Sequence, residues 1–135
     1  MQTLKLQIVT PEAIVFSQDV DMVTLPSVEG EMGILPAHEP LMTQLVHGEM
    51  IVRQDGRDRY MAVGEGLVEV SGAGVSVLTD MAVAVDSIDE AKAEDARARA
   101  QARLQEKLSA EEIAGVNASL ARSLTQLRVK RHRRG

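Results

Sequence analysis

The sequence predicts a β + α protein, in which an N-terminal antiparallel β-sandwich or flattened barrel precedes a C-terminal antiparallel hairpin of two helices. Three observations predict this fold. All four prolines and eight of the ten glycines lie within the first 85 residues. Short β-rich segments bounded by turn residues fill that region, and apolar residues at helical spacing fill the rest. We therefore divide the chain into a β domain, residues 1–85, and a helical hairpin, residues 86–135.

The strand pattern begins near the N-terminus, where Leu4, Leu6 and Ile8 alternate with polar residues and define one apolar face. The Asp55-Gly56 pair predicts a tight hairpin turn, and residues 72–74 predict a second one. No helices alternate with these strands, so a parallel sheet is not expected. The further β-rich segments are VDMVTL, EMIVRQ, RYMAV, LVEVS and VSVLT.

Helix signals begin at residue 87. Ser87 with Glu90 fits a capping box, and Asp89 is an alternative N-cap. Ser109 with Glu112 fits a second capping box, so one helix ends and another begins there. Because the apolar positions of the first helix are mostly alanine, the hairpin is expected to pack thinly and to be able to leave its neighbour. The predicted apolar stripes are Ala93, Ala96, Ala100, Leu104 and Leu108, then Ile113, Val116, Leu120, Leu124 and Leu127.

Composition excludes several classes of function. The chain has no cysteine, which excludes disulfides and thiolate chemistry. Phe16 and Tyr60 are its only aromatic residues, which argues against base stacking on single-stranded nucleic acid. No apolar run approaches the roughly 20 residues that span a bilayer, and the N-terminus lacks signal-peptide features. We expect a cytoplasmic protein that meets a membrane only through partners.

Charge is divided unevenly between the two parts. Residues 1–85 carry 4 Lys/Arg and 12 Asp/Glu, a balance of −8, whereas residues 86–135 carry 11 and 8, a balance of +3. The two balances sum to the net charge of −5. Five of the last eight residues are Lys or Arg. These cations complement the negative end of a helix, and an acidic protein surface is a better target for them than nucleic acid, which the acidic β domain would repel. Nucleic-acid binding through this basic tail remains the alternative function.

The stretch EGEMGILPAHEPLMTQL, residues 29–45, is the candidate site of the first part. His38 and Glu39 could serve as acid and base, but catalysis needs an orienting third group and only Glu31 is near in sequence. A phosphate loop is disfavoured because prolines, and no helix, follow the glycines. The pattern favours a rigid bend that presents Glu29 and Glu31 to a partner. No catalytic residue and no metal ligand is predicted.

Five motifs follow one another along the chain: the stretch at 29–45, GEGLVEV at 64–70, VSVLTDMA, IDEAKA at 88–93 and a closing QLRV. Together they resemble the epsilon subunit of bacterial F-type ATP synthases. The resemblance covers nearly the whole chain. It implies a non-catalytic rotor subunit of the proton-translocating enzyme, in the central stalk on the cytoplasmic face of the bacterial plasma membrane. The implied partners are the gamma subunit, the c-ring and the alpha and beta subunits.

The resemblance also implies roles for individual residues. Glu29, Glu31 and His38 are the expected c-ring contacts. The hairpin is expected to extend into the catalytic head and to inhibit ATP hydrolysis. Charge placement then selects the residues expected to contact the head, because this end is strongly basic while the rest of the protein is acidic: Arg122, Arg128, Lys130, Arg131, Arg133 and Arg134.

No cofactor is expected apart from weak ATP binding, for which Asp89, Lys92 and Arg122 are the candidate contacts. This chain has Lys92 where nucleotide-binding relatives have arginine. It also has Val83 where they have an acidic residue and Gln126 where they have a second arginine. Lysine lacks the planar fork with which arginine grips a phosphate, so the resemblance implies weakened ATP sensing here.

Overall fold

The structure is a computed structural model, and it describes residues 2–134. Within that range ten strands precede two helices, with a short 3-10 turn at Val85–Ser87 between them. The predicted order of a β-sandwich followed by two helices is confirmed. The strands are β1 Leu4–Val9, β2 Ile14–Val20, β3 Met22–Ser27, β4 Gly30–Ile34, β5 Leu41–Leu45, β6 Gly48–Gln54, β7 Arg57–Val63, β8 Gly66–Ser71, β9 Gly74–Thr79 and β10 Ala82–Ala84. The helices are α1 Glu90–Arg103 and α2 Ala110–Arg134.

The strands form one strongly curved sheet in the order β10-β7-β6-β3-β5-β8-β9-β1-β2, with β4 paired to β3. The sheet nearly closes, because the end of β2 meets β6: the Asp21 N–H donates to the Arg53 carbonyl at 2.8 Å, and the Gln54 amide donates to the Asp19 carbonyl at 2.9 Å. Every strand pair is antiparallel except β1 and β9, which run parallel. The prediction that the chain does not form a parallel sheet is correct, since the sheet is antiparallel apart from this one pair. No crossover helix is needed there, because the rest of the sheet connects the two strands.

Both predicted turns are present. Asp55 and Gly56 have φ of 54° and 75°, the left-handed pair that a two-residue hairpin between β6 and β7 requires. Ser71 pairs with Gly74 across the second turn, where Gly74 has φ of 132°. The segment VDMVTL is divided differently from the prediction, since Val20 ends β2 and β3 starts at Met22.

The stretch at 29–45 is less of a bend than the sequence suggests. It contains β4, which pairs with β3, and β5, which pairs with β8. Glu29 lies in the turn between β3 and β4, whereas Glu31 lies on β4 opposite Pro26. Only residues 35–40 connect the two strands.

The core lies inside the curved sheet and consists of aliphatic side chains from alternate strand positions. The predicted face of β1 is confirmed, since Leu4, Leu6 and Ile8 are all buried. A second, smaller cluster lies between the sheet and the hairpin, where Val129 of α2 meets Ala62, Met81 and Ile88. Only this smaller cluster depends on the helices.

Of the two N-cap alternatives for α1, the Ser87 capping box is wrong, since Ser87 belongs to the preceding 3-10 turn, and Asp89 is correct. Asp89 is the N-cap of α1, and its side chain accepts the Lys92 N–H at 3.1 Å. The second capping box is confirmed in both directions: Ser109 Oγ accepts the Glu112 N–H, and the Glu112 carboxylate accepts the Ser109 N–H, both at 3.1 Å. The buried residues of α1 are two alanines, Ala93 and Ala100, as the sequence predicts.

The predicted apolar stripe of α2 is only partly correct. Ile113 and Leu124 are 41% and 43% exposed, while Ser123 and Thr125 are buried. The reason is that α2 has two neighbours, α1 on one side and the strands β6 and β7 on another. Successive helix residues are 100° apart, so Leu124 projects between the two covered faces. The buried hydroxyls of Ser123 and Thr125 donate to backbone carbonyls one turn earlier, at 3.1 and 2.8 Å.

We predict that residues 1–85 fold without the hairpin. The main core cluster draws only on strand residues, so a truncation after Val85 leaves it complete. The truncation exposes Ala62 and Met81, which Val129 and Ile88 cover in the full chain. A cooperative thermal transition, at a lower midpoint than that of the full chain, is the expected result by circular dichroism. An aggregated fragment, or one that melts without cooperativity, would contradict it.

Candidate interaction site

An uncovered row of apolar side chains crosses four strands at one end of the sheet. Leu67 of β8 lies opposite Leu78 of β9, Leu78 lies beside Val9 of β1, and Val9 lies opposite Ile14 of β2. Because residues opposite each other in a sheet project from the same face, the four side chains form one continuous strip, which we call the apolar row. Ile14 is 62% exposed and Leu78 is 48% exposed. Such a strip on a soluble domain is typical of a docking surface.

The apolar row is confined to that end of the sheet. Two positions further along each strand, the same face is polar: Glu69 lies opposite Ser76, which lies beside Gln7. A groove of about 400 Å³ is lined by two members of the row, Val9 and Leu78, and also by the acidic residues Glu65 and Asp80. The helical hairpin packs mainly on β6 and β7, in the other half of the sheet order.

The expected c-ring contacts do not come together in one place. Glu29 and Glu31 lie at the β3–β4 turn, near the β5 end that also borders Gly66. His38 follows the opposite end of β4, beside the turn between β8 and β9. A strand of five residues is about 16 Å long, so a partner that touches all three must run along β4. The two glutamates lie at the same end of the strands as the apolar row, whereas His38 lies at the opposite end.

No catalytic arrangement surrounds His38. Its Nδ1 lies 2.7 Å from the backbone carbonyl oxygen of Glu39, so the neighbouring carboxylate does not orient the imidazole. Among residues 2–134, no group of three or more His, Asp or Glu side chains is arranged to bind a metal ion. Over the same range, neither helix is long and apolar enough to cross a bilayer.

Most of the basic residues of α2 contact the protein itself. Arg122 lies 3.6 Å from the Asp80 carboxylate, and Lys130 donates to the Val85 carbonyl at 3.0 Å. Arg133 donates to both carboxylate oxygens of Glu49. These three contacts join the hairpin to the β domain, an arrangement that we call the closed position.

Two other basic residues fasten the helices to each other. Arg131 donates to Glu90 at 3.2 Å and to Glu94 at 3.0 Å, and Arg134 also donates to Glu90. Hydrogen bonds from Arg97, and then from Arg131, lower the pKa of the Glu94 carboxyl below its ordinary value. These pairs are largely exposed, so each contributes little to stability.

Arg128 differs from the other expected inhibitory residues. It is exposed and forms no ion pair in the part of the chain that the structure describes. Of the six basic residues expected to contact the catalytic head, it is therefore the one that the closed position leaves unused within that range.

Two of the three candidate nucleotide contacts have other roles in the closed position, and the third, Lys92, is exposed. Asp89 caps α1, and Arg122 faces Asp80. The Gln126 amide lies 3.2 Å from the Met81 sulfur. Val83 packs against the small cluster between the sheet and the hairpin, so it provides an apolar wall and no charge.

Comparison with protein-family models accounts for both parts of the chain. Residues 3–85 match the model described as the ATP synthase delta/epsilon chain, beta-sandwich domain, and residues 86–131 match its long alpha-helix domain. The chain belongs to the ATP synthase delta/epsilon chain family. As a member of that family it is a non-catalytic subunit of the ATP synthase.

Relatives in the delta/epsilon family are similar over nearly their full length. The ATP synthase epsilon chain of Herpetosiphon aurantiacus is 42% identical over 131 residues, which cover 97% of this chain and 96% of that one. The epsilon chain of Chloroflexus aggregans is 43% identical over 126 residues, covering 93% of this chain and 91% of that one. The predicted resemblance to the epsilon subunit is confirmed.

Solved structures agree with this membership. A chain of the Euglena gracilis mitochondrial ATP synthase, in a structure of OSCP, F1 and the c-ring, matches with a TM-score of 0.71 and 26% identity, covering 91% of this chain and 78% of that one. A chain of the Tetrahymena thermophila central stalk and c-ring matches with a TM-score of 0.56 at 17% identity, covering 99% of this chain and 98% of that one. The second match shows the delta/epsilon fold alone.

Sequence reasoning missed the apolar row. One signal was available, because the segments LVEVS and VSVLT carry apolar residues on both faces. Leu67 precedes the buried pair Val68 and Val70, and Leu78 follows the buried Val77. Apolar residues at outward positions of two adjacent strands, here β8 and β9, indicate that another element or a partner covers that face.

Proposed function

We propose that this chain couples the gamma subunit to the c-ring in the rotor of the proton-translocating ATP synthase, and that its hairpin inhibits ATP hydrolysis. Family membership supports its place in the ATP synthase. The apolar row supports the coupling role, because it offers a partner an uncovered strip of side chains on the half of the sheet away from the hairpin. The gamma subunit is the proposed occupant of that strip.

The c-ring contact is proposed for the β3–β4 turn. Glu29 and Glu31 are exposed there, and Val28 beside them is 55% exposed. The turn is separated from the apolar row by β5 alone. The Val28 N–H donates to the Gln44 carbonyl of β5, and Gln44 lies opposite Leu67. A partner on the row and a partner at the turn would therefore be neighbours. On this proposal the subunit lies peripherally on the cytoplasmic face of the bacterial plasma membrane, held there by its partners.

Co-purification tests the coupling role. The chain carries an affinity tag and is co-expressed with the gamma subunit and the c subunit of the same organism. Recovery of both subunits with the tagged chain is the supporting result. Recovery of both from the fragment 1–85 as well would assign the contact to the β domain. If neither subunit is retained, the coupling role is wrong.

The inhibitory role is supported by the way in which the hairpin is attached. Among residues 2–134, one buried apolar cluster, around Val129, joins it to the β domain, and three polar contacts accompany that cluster. Polar contacts between the two parts exchange readily for similar contacts elsewhere, so the closed and extended positions can be close in free energy. The proposed targets of the extended helix are acidic surfaces of the alpha and beta subunits.

We predict that Arg128→Ala raises ATP hydrolysis by the assembled enzyme severalfold, because it removes a head contact without disturbing the closed position. Deletion of residues 86–135 should raise hydrolysis at least as far. The matched control is Arg99→Ala, which removes an exposed arginine from α1 whose partner, Asp95, lies on the same helix. Steady-state hydrolysis by purified complexes checks this. If deletion of the hairpin leaves the rate unchanged, the hairpin is not inhibitory.

We predict weak ATP binding by the isolated chain. Each lost charge-assisted hydrogen bond removes on the order of 1.5–3 kcal/mol, so the changes at Val83, Lys92 and Gln126 cost several decades of affinity. Calorimetry should therefore give a dissociation constant well above the micromolar range. The combined variant Val83→Glu, Lys92→Arg and Gln126→Arg should bind at least 100-fold more tightly. A micromolar constant for the unmodified chain would show the prediction to be wrong.

A further inference from the structure

Arg133, near the end of α2, contacts two side chains of the sheet. The Arg133 Nε donates to Glu49 Oε2 at 2.6 Å, and its Nη2 donates to Glu49 Oε1. The guanidinium carbon lies 3.8 Å from the centroid of the Tyr60 ring. The planar guanidinium of arginine can form a bidentate contact with a carboxylate and stack on an aromatic ring at the same time. The ammonium group of lysine cannot do both.

The strand register builds this site. Glu49 of β6 lies opposite Ala62 of β7, and Ile51 lies opposite Tyr60, so Glu49 and Tyr60 project from the same outer face. Ala62 on that face is covered by Val129, one helical turn before Arg133. The site therefore exists on the β domain independently of α2, and the helix reaches it when it packs on that face.

The Arg133 contact differs from the other ion pairs of the hairpin. The Arg133 and Glu49 side chains are 27% and 19% exposed, whereas Arg131 and Arg134 are 50% and 61% exposed and join α2 to α1. Pairs within the hairpin move with it and cannot hold it in place. Arg122 and Asp80 also bridge the two parts, but at 3.6 Å they are too far apart for a hydrogen bond.

We infer that Glu49 and Tyr60 form an arginine-binding site, here called the latch site, and that Arg133 in this site holds the hairpin in the closed position. The inference rests on the proposed function for its regulatory meaning, because an occupied latch site withholds α2 from the catalytic head. The pKa of the Arg133 guanidinium is raised, chiefly by its hydrogen bonds to Glu49, so the arginine stays charged at neutral pH. On this inference, a side chain of the protein holds the hairpin closed.

The chain offers a direct assay of closure. It has no cysteine, so Ala62→Cys introduces a single thiol beneath Val129, at a position that is fully buried in the closed state. A thiol reagent can reach it only when the hairpin leaves, and the labelling rate then follows the open fraction. Val77→Cys, in the main core, reports on unfolding of the β domain instead.

The test places latch variants in the Ala62→Cys background. Arg133→Gln and Glu49→Gln should each raise the labelling rate about tenfold, as expected for a partly buried, charge-assisted pair. The double variant should be no faster than either single one, since both remove the same contact. The labelling rate of Arg133→Lys should lie between those of the unsubstituted arginine and Arg133→Gln. Lysine keeps the positive charge but lacks the planar guanidinium that binds both carboxylate oxygens.

The control and the contrary results are equally specific. Arg128→Gln removes the same charge from the exposed side of α2, and it should change the rate less than twofold. Labelling through Val77→Cys should not respond to any of these variants. The inference is overturned if Arg133→Gln changes the labelling rate no more than Arg128→Gln does. It is also overturned if the effects of Arg133→Gln and Glu49→Gln on the labelling rate multiply in the double variant. The assay uses the isolated chain, so its outcome is separate from that of the hydrolysis test of the inhibitory role.

Discussion

Leu78→Asp is expected to abolish stable binding of the chain to the gamma subunit. Leu78 is the central member of the apolar row, with Leu67 on one side and Val9 on the other. A carboxylate there loses the apolar contact and must be desolvated beneath the partner, at a cost of about 3 kcal/mol or more. That cost corresponds to at least a 100-fold weaker dissociation constant. Calorimetry or surface plasmon resonance with purified gamma measures it.

The chain offers a matched control for this variant. Leu124→Asp places the same charge at a leucine of similar exposure, 43% against 48%, but on α2 and away from the row. It should leave the affinity for gamma within a factor of three. Circular dichroism must show both variants to be folded, which their surface positions favour. Equal affinities for the two variants would mean that gamma does not occupy the row.

Gly66→Ala is expected to destabilise the β domain by about 3 kcal/mol, which lowers the thermal midpoint by roughly 10 °C. A Cβ at Gly66 would lie 1.8 Å from the Leu78 carbonyl oxygen and 2.8 Å from the Thr79 Cα. Both atoms belong to the backbone of the neighbouring strand, so the clash cannot be relieved by a side-chain rotation. The pairing of β8 with β9 must open locally, and Leu45, which lies opposite Gly66 on β5, must shift with it.

Gly72→Ala is the control for the glycine variant. An added Cβ at Gly72 meets nothing within 4 Å, and the backbone there is not left-handed. Alanine in that turn should therefore be neutral, or should stabilise the fold slightly by restricting the unfolded chain. Thermal unfolding of both variants in the same buffer gives the comparison. A Gly66→Ala midpoint equal to that of Gly72→Ala would show that the strands yield more easily than the geometry indicates.

Elements with a local signal could be predicted from the sequence. The alternation of Leu4, Leu6 and Ile8 predicts β1, and the Asp55-Gly56 pair predicts the turn between β6 and β7. Both signals depend on residues that are close together in the chain. The capping box that opens α2 is equally local. Alanine at the contact positions of α1 predicts its thin packing for the same reason.

Elements formed by pairing alone could not be predicted. Strand β2 is exposed over most of its length, so it lacks the alternation that marks a half-buried strand and depends on its pairing with β1. Strand β4 contains two glycines in five residues, which conceals its pattern. The buried positions of α2 could not be predicted either, because they depend on two neighbours and not on one.

The sites were the least predictable part. The apolar row requires the register of four strands, and the latch site requires the place where a helix end meets β6 and β7. Glu49 and Arg133 are 84 residues apart, and neither stands in a recognisable motif. The sequence predicts that the basic tail is a surface for a partner, and in the closed position most of its charges contact the protein itself.

The parallel pairing of β1 and β9 has a consequence for biosynthesis. Leu6 pairs with Val75, so one edge of β1 has no strand beside it until β9 has emerged from the ribosome. Contacts between such distant residues form slowly, and an apolar strand with an open edge readily adds strands from other chains. The nascent chain therefore needs protection, by the ribosome or by a chaperone, for as long as it takes to synthesise about 70 residues. Strand β1 is thus among the last strands of the sheet to gain a neighbour on both sides.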